Sequence, residues 1–171
     1  MGRRRRGFTL IDLLITCAVI GIVLVAVVPS LNNDDGLRIV AAGNVLTADL
    51  EYAQSATLAN PADPTVVRFQ EKGSGYWLAL ASAPDVPIKR PGSDDDYLVE
   101  FGAGDASVLI GVTADASTVP DLTIAYDEFG RLSAPSDAVV RLTNITGSMD
   151  VTVRASTGSV FLATVPAGEG N

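Results

Sequence analysis

A single acidic side chain, Asp12, interrupts an apolar stretch near the amino terminus. From Phe8 to Val28 it is the only charged residue among 21, and four arginines precede the stretch at positions 3–6. As a helix rising about 1.5 Å per residue, the stretch reaches about 31 Å, which is the thickness of one bilayer core. A carboxylate inside such a span is costly and indicates a functional position. The arginines predict a cytoplasmic amino terminus and a translocated carboxyl-terminal part.

A second group of acids lies in the loop at positions 92–96, where Asp94, Asp95 and Asp96 follow one another. Three carboxylates could offer oxygen ligands to Ca²⁺, a hard cation that prefers several of them. Their spacing matches no EF-hand loop, and consecutive acids in a loop are usually solvated. The three aspartates are therefore weak calcium candidates, and the sequence predicts no other metal site and no cofactor.

Composition excludes several kinds of catalytic and metal site. The sequence contains no histidine, and Cys17 is its one cysteine. Catalytic triads and metal sites that depend on histidine are excluded, as is a disulfide within the chain. Serines are frequent, but no Ser-x-x-Lys or Gly-x-Ser-x-Gly motif indicates an activated nucleophile. The sequence favours a structural or binding protein over an enzyme.

The charge balance argues against a nucleic-acid ligand. The chain has 12 Lys and Arg against 20 Asp and Glu, for a formal net charge of −8. Without residues 1–7 it would keep 8 basic residues against 20 acidic ones, a formal net charge of −12. Contacts to phosphates need clustered Lys and Arg, so nucleic acid is not a favoured partner.

A second helix is expected after the polar segment 32–36, which reads as a break in the helical pattern. From Leu37 to Ala59 apolar residues recur at intervals of three and four, and Asn60 and Pro61 then end the pattern. Asp49 is predicted to face solvent on the opposite side. The expected buried face consists of Ile39, Ala42, Leu46, Leu50 and Ala53.

The rest of the chain predicts short antiparallel strands separated by glycine-rich turns. The apolar face of a sheet needs a cover, which the helix ending at Ala59 supplies. The fold class is therefore α+β. The predicted strands are Thr65–Phe69, Tyr76–Ser82, Tyr97–Phe101, Val108–Val112, Leu122–Tyr126, Val139–Leu142, Met149–Arg154 and Val160–Ala163.

The amino-terminal residues resemble a class III, prepilin-type signal. The arginines and Gly7 lead directly into Phe8, Thr9, Leu10, Ile11 and Asp12. In that family a prepilin peptidase cleaves after the glycine and methylates the new terminal residue, usually Phe. An acid, nearly always Glu, is fifth in the mature chain, and many pilin helices have a kinking proline where this chain has Pro29. Asp12 matches the position and charge of that acid with a side chain one methylene shorter.

The resemblance implies a role for each of these residues. Gly7 and Phe8 would flank the cleavage site, and Phe8 would be N-methylated. Asp12 would act in assembly and docking, and Pro29 would kink the helix. A plain membrane anchor, a cleaved secretory signal and a lipoprotein signal at Cys17 are the alternatives for this segment.

The layout is also similar to the GspH/FimT-like minor pseudopilins, in which a helix like that at 46–56 leads into a β-rich domain. This resemblance implies a pilin fold, in which a long hydrophobic helix continues into an amphipathic helix packed on an antiparallel β-sheet. The expected divisions are a leader at 1–7, a transmembrane or filament-core helix at 8–31, an amphipathic helix at 32–60 and a β-rich domain at 61–171.

The function implied is that of a minor pseudopilin-like subunit of a type II secretion pseudopilus or a type IV pilus-like filament. Its partners would be prepilin peptidase, other pilin-like subunits and lipid of the bacterial inner membrane. The globular domain would lie outside the cytoplasm. Two alternatives remain: a pilus-tip binding module for adhesion or DNA uptake, and a solitary membrane-anchored domain.

Overall fold

The computed structural model describes residues 10–27 and 34–165. The chain divides into two units, with the boundary between Asp34 and Asp35. The first unit contains helix α1, Leu10–Val27, in which the Thr16 hydroxyl donates a hydrogen bond of 2.7 Å to the carbonyl of Asp12. Among the residues described, no helix combines the length and apolar character needed to cross a membrane. The predicted span at 8–31 extends beyond these residues at both ends.

Helix α2 is Asp34–Ala59, and from Asp35 onward it belongs to the second unit. It begins at Asp34 rather than at Leu37, so part of the predicted break is helical. Acidic residues suit a first helical turn because they complement the partial positive charge there. The predicted buried face is confirmed, because its five apolar residues are between 0 and 7% exposed.

Nine strands follow α2 within the described residues. They are β1 (Thr65–Phe69), β2 (Gly75–Leu80), β3 (Ala83–Pro87), β4 (Leu98–Glu100), β5 (Thr113–Asp115), β6 (Thr123–Ala125), β7 (Ala138–Asn144), β8 (Gly147–Val153) and β9 (Val160–Val165). Short 3₁₀ helices occupy Gly104–Leu109 and Pro120–Leu122.

The strands form two antiparallel sheets. In the first the order is β3-β2-β1-β6, with β4 also paired to β2, and in the second it is β5-β7-β8-β9. Buried residues of α2 and of both sheets join in one hydrophobic core. The α+β class and the antiparallel pairing are thus confirmed, with two sheets in place of the single sheet expected.

Three strand assignments differ from the prediction, and one of them is β5 (Thr113–Asp115), which was not predicted. The segment Val108–Val112 is not a strand, because it lies across the end of the first 3₁₀ helix. Ala106, Leu109 and Val112 are buried at intervals of three, whereas Val108 and Ile110 are exposed. Ala106 and Leu109 belong to the 3₁₀ segment, and Val112 follows it. Strand β3 was not predicted, because its two prolines are poor strand formers and most of its residues are exposed or half-buried.

A glycine allows α2 to approach the second sheet closely. A Cβ atom on Gly43 would lie 2.7 Å from the Met149 Sδ and 3.0 Å from a methyl carbon of Leu162. The side chains of β8 and β9 therefore fill the space beside the helix backbone at this residue. Because Gly43 has no side chain, Met149 and Leu162 can pack directly against the backbone of α2.

Candidate functional site

Three of the four predicted processing and assembly residues, Gly7, Phe8 and Pro29, lie outside the described residues. The fourth, Asp12, is in the first turn of α1 and is exposed. An acid in a first turn is favoured by the helix dipole. The structure thus places Asp12 at the amino-terminal end of an apolar helix, as the spacing predicts.

Apart from Asp12 and Thr16, the described side chains of α1 are apolar and exposed. Large apolar side chains are between 53 and 81% exposed, and three of them are consecutive at Leu13, Leu14 and Ile15. Successive helical residues point about 100° apart, so these side chains surround the helix axis. A helix that is hydrophobic all round is normally buried in a membrane or among other helices. The exposed set is Leu10, Ile11, Leu13, Leu14, Ile15, Val19 and Ile20.

In the second unit, α2 buries a carboxylate against two tyrosines. Asp49 is 8% exposed, although it was predicted to face solvent. The Tyr76 hydroxyl donates a hydrogen bond of 2.6 Å to one of its oxygens, and the Tyr97 hydroxyl donates one of 2.8 Å to the other. The prediction was wrong because these hydroxyls satisfy a polar group that the apolar pattern alone assigns to water.

Further aromatic contacts hold Tyr97 in place. Its ring stacks on that of Tyr52 with centroids 5.5 Å apart, and the guanidinium of Arg90 lies 4.8 Å from its centroid. Arg90 also donates a hydrogen bond of 3.0 Å to the carbonyl of Leu98. Together these contacts connect α2 to the chain around β4.

The environment of this cluster shifts the acidity of its members. Burial raises the pKa of Asp49 above its ordinary value of 3.8, although hydrogen bonds from both tyrosines and the charge of Arg90 lower it in part. Burial and the neighbouring Asp49 raise the pKa of Tyr76 and of Tyr97 well above the usual tyrosine range. Both tyrosines therefore keep their protons and act as donors. The arrangement is a structural connection between helix and sheet.

The calcium candidates have other contacts. Asp96 forms an ion pair of 2.7 Å with Lys89, and Asp95 accepts a hydrogen bond of 2.7 Å from the hydroxyl of Ser93. All three aspartates are exposed. Within the parts of the chain that the structure describes, no group of three acidic, cysteine or histidine side chains is placed to hold a metal ion. Asp94, Asp95 and Asp96 therefore remain the weak calcium candidates that the sequence predicts.

Comparison with known proteins gives one family and one solved protein. The family model for the prokaryotic N-terminal methylation motif matches residues 2–28. No curated protein matches the chain. The chain is similar to the type IV minor pilin FimU of Pseudomonas aeruginosa strain PAO1. In space group P65 the identity is 18%, over 72% of this chain and 90% of that chain, with a TM-score of 0.47. In space group P21 the identity is 17%, over 78% and 92%, with a TM-score of 0.47.

Of the positions on which the predicted signal depends, only the proline lies outside the match. Gly7, Phe8 and Asp12 all fall within the match, and Pro29 directly follows it. The chain therefore carries a prokaryotic N-terminal methylation motif, which confirms the prepilin-type signal predicted from its sequence.

Proposed function

We propose that this protein is a minor pilin-like structural subunit that is cleaved between Gly7 and Phe8, methylated on Phe8 and assembled into a filament. The observation that carries the proposal is the methylation motif over residues 2–28. The peptidase that recognises such a motif is the first partner, and other pilin-like subunits are the next.

The surface of α1 supports the assembly step. Its exposed apolar side chains need a surrounding that excludes water, and burying each would contribute about 1.5–3 kcal/mol. Before assembly that surrounding is inner-membrane lipid, with residues 8–31 as a single-pass anchor. The arginines at positions 3–6 hold the amino terminus in the cytoplasm, so the globular domain is extracytoplasmic. After assembly the surrounding is the helices of neighbouring subunits, and Pro29 would have the kinking role that the resemblance implies.

The second unit supports a structural role over catalysis. Its buried carboxylate accepts hydrogen bonds from two tyrosines that stay protonated, so this polar cluster connects α2 to the sheet. The filament is a type II secretion pseudopilus or a type IV pilus-like fibre. Neighbouring genes would separate these: secretion ATPase and secretin genes favour secretion, and pilus-retraction genes favour a pilus.

The decisive experiment is mass spectrometry of the membrane-extracted protein from a host that has prepilin peptidase. We expect an amino terminus at Phe8, heavier by one methyl group. Gly7→Leu should abolish cleavage, because a side chain replaces the glycine at the cleaved bond. Gly2→Leu, a matched change inside the leader, should leave cleavage intact. An intact Met1 terminus in the parent protein, or a cut near Ser30, would overturn the proposal.

A further inference from the structure

Strand β9 lies at one end of the second sheet, so one of its edges has no neighbouring strand among those that the structure describes. It pairs with β8 over its whole length without a shift in register. Residues 155–168 carry no ionisable side chain, and β9 itself consists of Val, Phe, Leu, Ala and Thr. A long, uncharged edge of this kind is a template for pairing with a further strand.

The other end strands have features that natural sheets use to prevent such pairing. Strand β3 contains two prolines and the exposed Asp85, and its register with β2 shifts. Strands β4 and β5 have three residues each and contain Glu100 and Asp115. Strand β6 also has three, and the carbonyl of Ala125 accepts a hydrogen bond from the backbone of Ser133. Among the end strands described, β9 alone is long, uncharged and free of proline.

The hydrogen bonds at the start of β9 indicate which of its backbone groups point to the open edge. The N–H of Arg154 donates to the carbonyl of Ser159 at 2.9 Å, and the register of β8 with β9 continues from the next residue of each strand. Along an antiparallel strand, residues alternate between bonding to the opposite strand and pointing away from it. Ser159 bonds to β8. The residues whose N–H and C=O groups point outward are therefore Val160, Leu162 and Thr164.

These three residues complement themselves in a second copy. When two β9 strands lie antiparallel about a two-fold axis at Leu162, Val160 of each copy is opposite Thr164 of the other. Leu162 is opposite its own counterpart, so every outward N–H and C=O of the three residues has a partner. Phe161 is then opposite Ala163, which places a large side chain beside a small one. We propose that β9 pairs in this way with β9 of a second copy, which joins the second sheets of two chains into one.

The alternatives on the same edge satisfy fewer backbone groups. With the axis at Ala163, Val160 would be opposite Pro166, which has no N–H to donate. The tail after Val165 has six residues, and reversing the chain takes about two of them, so the tail is too short to cover the six residues of β9. A two-fold contact brings the same surface of both copies together. The described end strand that best matches an uncharged, unprotected edge is therefore β9 itself.

Disulfide cross-linking of the full-length chain tests this register. In a Cys17→Ala background, chains with Phe161→Cys and chains with Ala163→Cys carry different affinity tags and are mixed in detergent. In the proposed pairing the Cα atoms of residues 161 and 163 of the two copies lie about 4.5 Å apart, within reach of a disulfide. Two copies of the same variant would have these atoms about 8 Å apart, which is too far. We expect the mixed cross-link to exceed the others several-fold.

Two sets of controls use the same background. Thr113→Cys and Asp115→Cys have the same spacing on β5, the opposite end of the sheet, and should not cross-link. Thr164→Pro, added to both labelled chains, removes an N–H that points outward, so it should leave the pairing with β8 intact and abolish the mixed cross-link. Thr164→Val keeps that N–H and should keep the cross-link. An unchanged emission of Trp77, the only tryptophan, reports that each variant is folded.

Each outcome decides the inference. Equal cross-linking on β9 and β5 would mean that copies meet without a specific contact, and it would overturn the pairing. More cross-linking between copies of one variant than between the two variants would contradict the antiparallel register. Cross-links that appear only in chains ending at Val165 would assign the edge to the tail, and the absence of cross-links in every chain would also refute the pairing. The inference does not depend on cleavage at Gly7, so the mass spectrum of the amino terminus tests the proposed function separately.

Discussion

The two helices of this protein place their apolar residues differently. In α1 large apolar side chains are exposed on all sides, whereas in α2 the residues of one face, such as Leu46 and Leu50, are fully buried. The α2 face packs on two sheets of the same chain, and the core that they form is continuous. An apolar stripe therefore indicates a partner within the chain, and an apolar surface all round indicates partners outside it.

The helices also differ in how they carry a carboxylate. Asp49 of α2 is buried and receives hydrogen bonds from two tyrosines of the same unit. Asp12 of α1 is exposed and lies in the first turn. Substitutions in α2 should therefore change the stability of the fold, and substitutions in α1 should change assembly. The following predictions test this division.

The largest effect is expected at Asp12, in assembly. After cleavage Phe8 carries a cationic amino group, and an unpaired charge in a filament core costs several kcal/mol. Asp12 is four residues on, so it shares a helix face with Phe8 and can pair with that group or with the same group of a neighbouring subunit. Asp12→Ala should be inserted and cleaved normally but incorporated about a thousandfold less, since each 1.4 kcal/mol of the lost pairing corresponds to a factor of ten.

Asp12→Glu is the matched control for this prediction. It restores the usual acid of the family and should be incorporated at least as well as the parent. The measurement is the ratio of filament or cross-linked complex to membrane monomer for the three proteins. Equal ratios would show that Asp12 is not a docking group.

Two leucines, one in each helix, test whether substitutions in α2 but not in α1 lower the stability of the fold. Leu50 is fully buried and Leu14 is 61% exposed. Leu50→Ala should lower the free energy of unfolding by about 2–5 kcal/mol, because it removes apolar contacts and leaves a cavity. Leu14→Ala should leave the unfolding of the second unit unchanged. Urea titration in detergent, followed by Trp77 fluorescence, measures both, and equal losses would contradict the comparison.

A smaller loss of stability is expected at Asp49. Asp49→Ala removes the acceptor of two tyrosine hydroxyls, and an unsatisfied buried polar group costs about 1–3 kcal/mol. Asp95→Ala, in an exposed loop, provides the control and should have little effect. If the two variants unfold at the same urea concentration, the tyrosine cluster does not stabilise the packing of α2.

The smallest expected effect is a dependence on pH. The pKa of Asp49 is raised in the folded protein, so the folded state binds its proton more tightly than the unfolded state. This contribution to stability is complete below the ordinary value of 3.8 and is lost as the pH rises through the raised folded pKa. Asp49→Asn lacks it. The stability of the parent minus that of the variant should therefore fall with rising pH, and a difference that is constant in chemical denaturation across this range would refute the assignment.

The sequence alone was sufficient for features that depend on local patterns. The motif around Gly7, Phe8 and Asp12 was recognisable because it consists of residue types at fixed spacing, and the family match confirms it. The buried face of α2 followed from helical periodicity, which needs no knowledge of what the helix packs on. The α+β class followed from the order of helical and alternating patterns.

Other features depend on residues that are distant along the chain. Asp49 has a polar environment only because Tyr76 and Tyr97, 27 and 48 residues away, bring their hydroxyls to it. The division into two sheets depends on which strand pairs with which, and short strands of similar composition do not specify their partners. The position of Ile145 beside the first turns of α2 depends on a hydrogen bond from Asn144 across 109 residues. Local propensity carries no information about such contacts, because their energies exist only once the chain is folded.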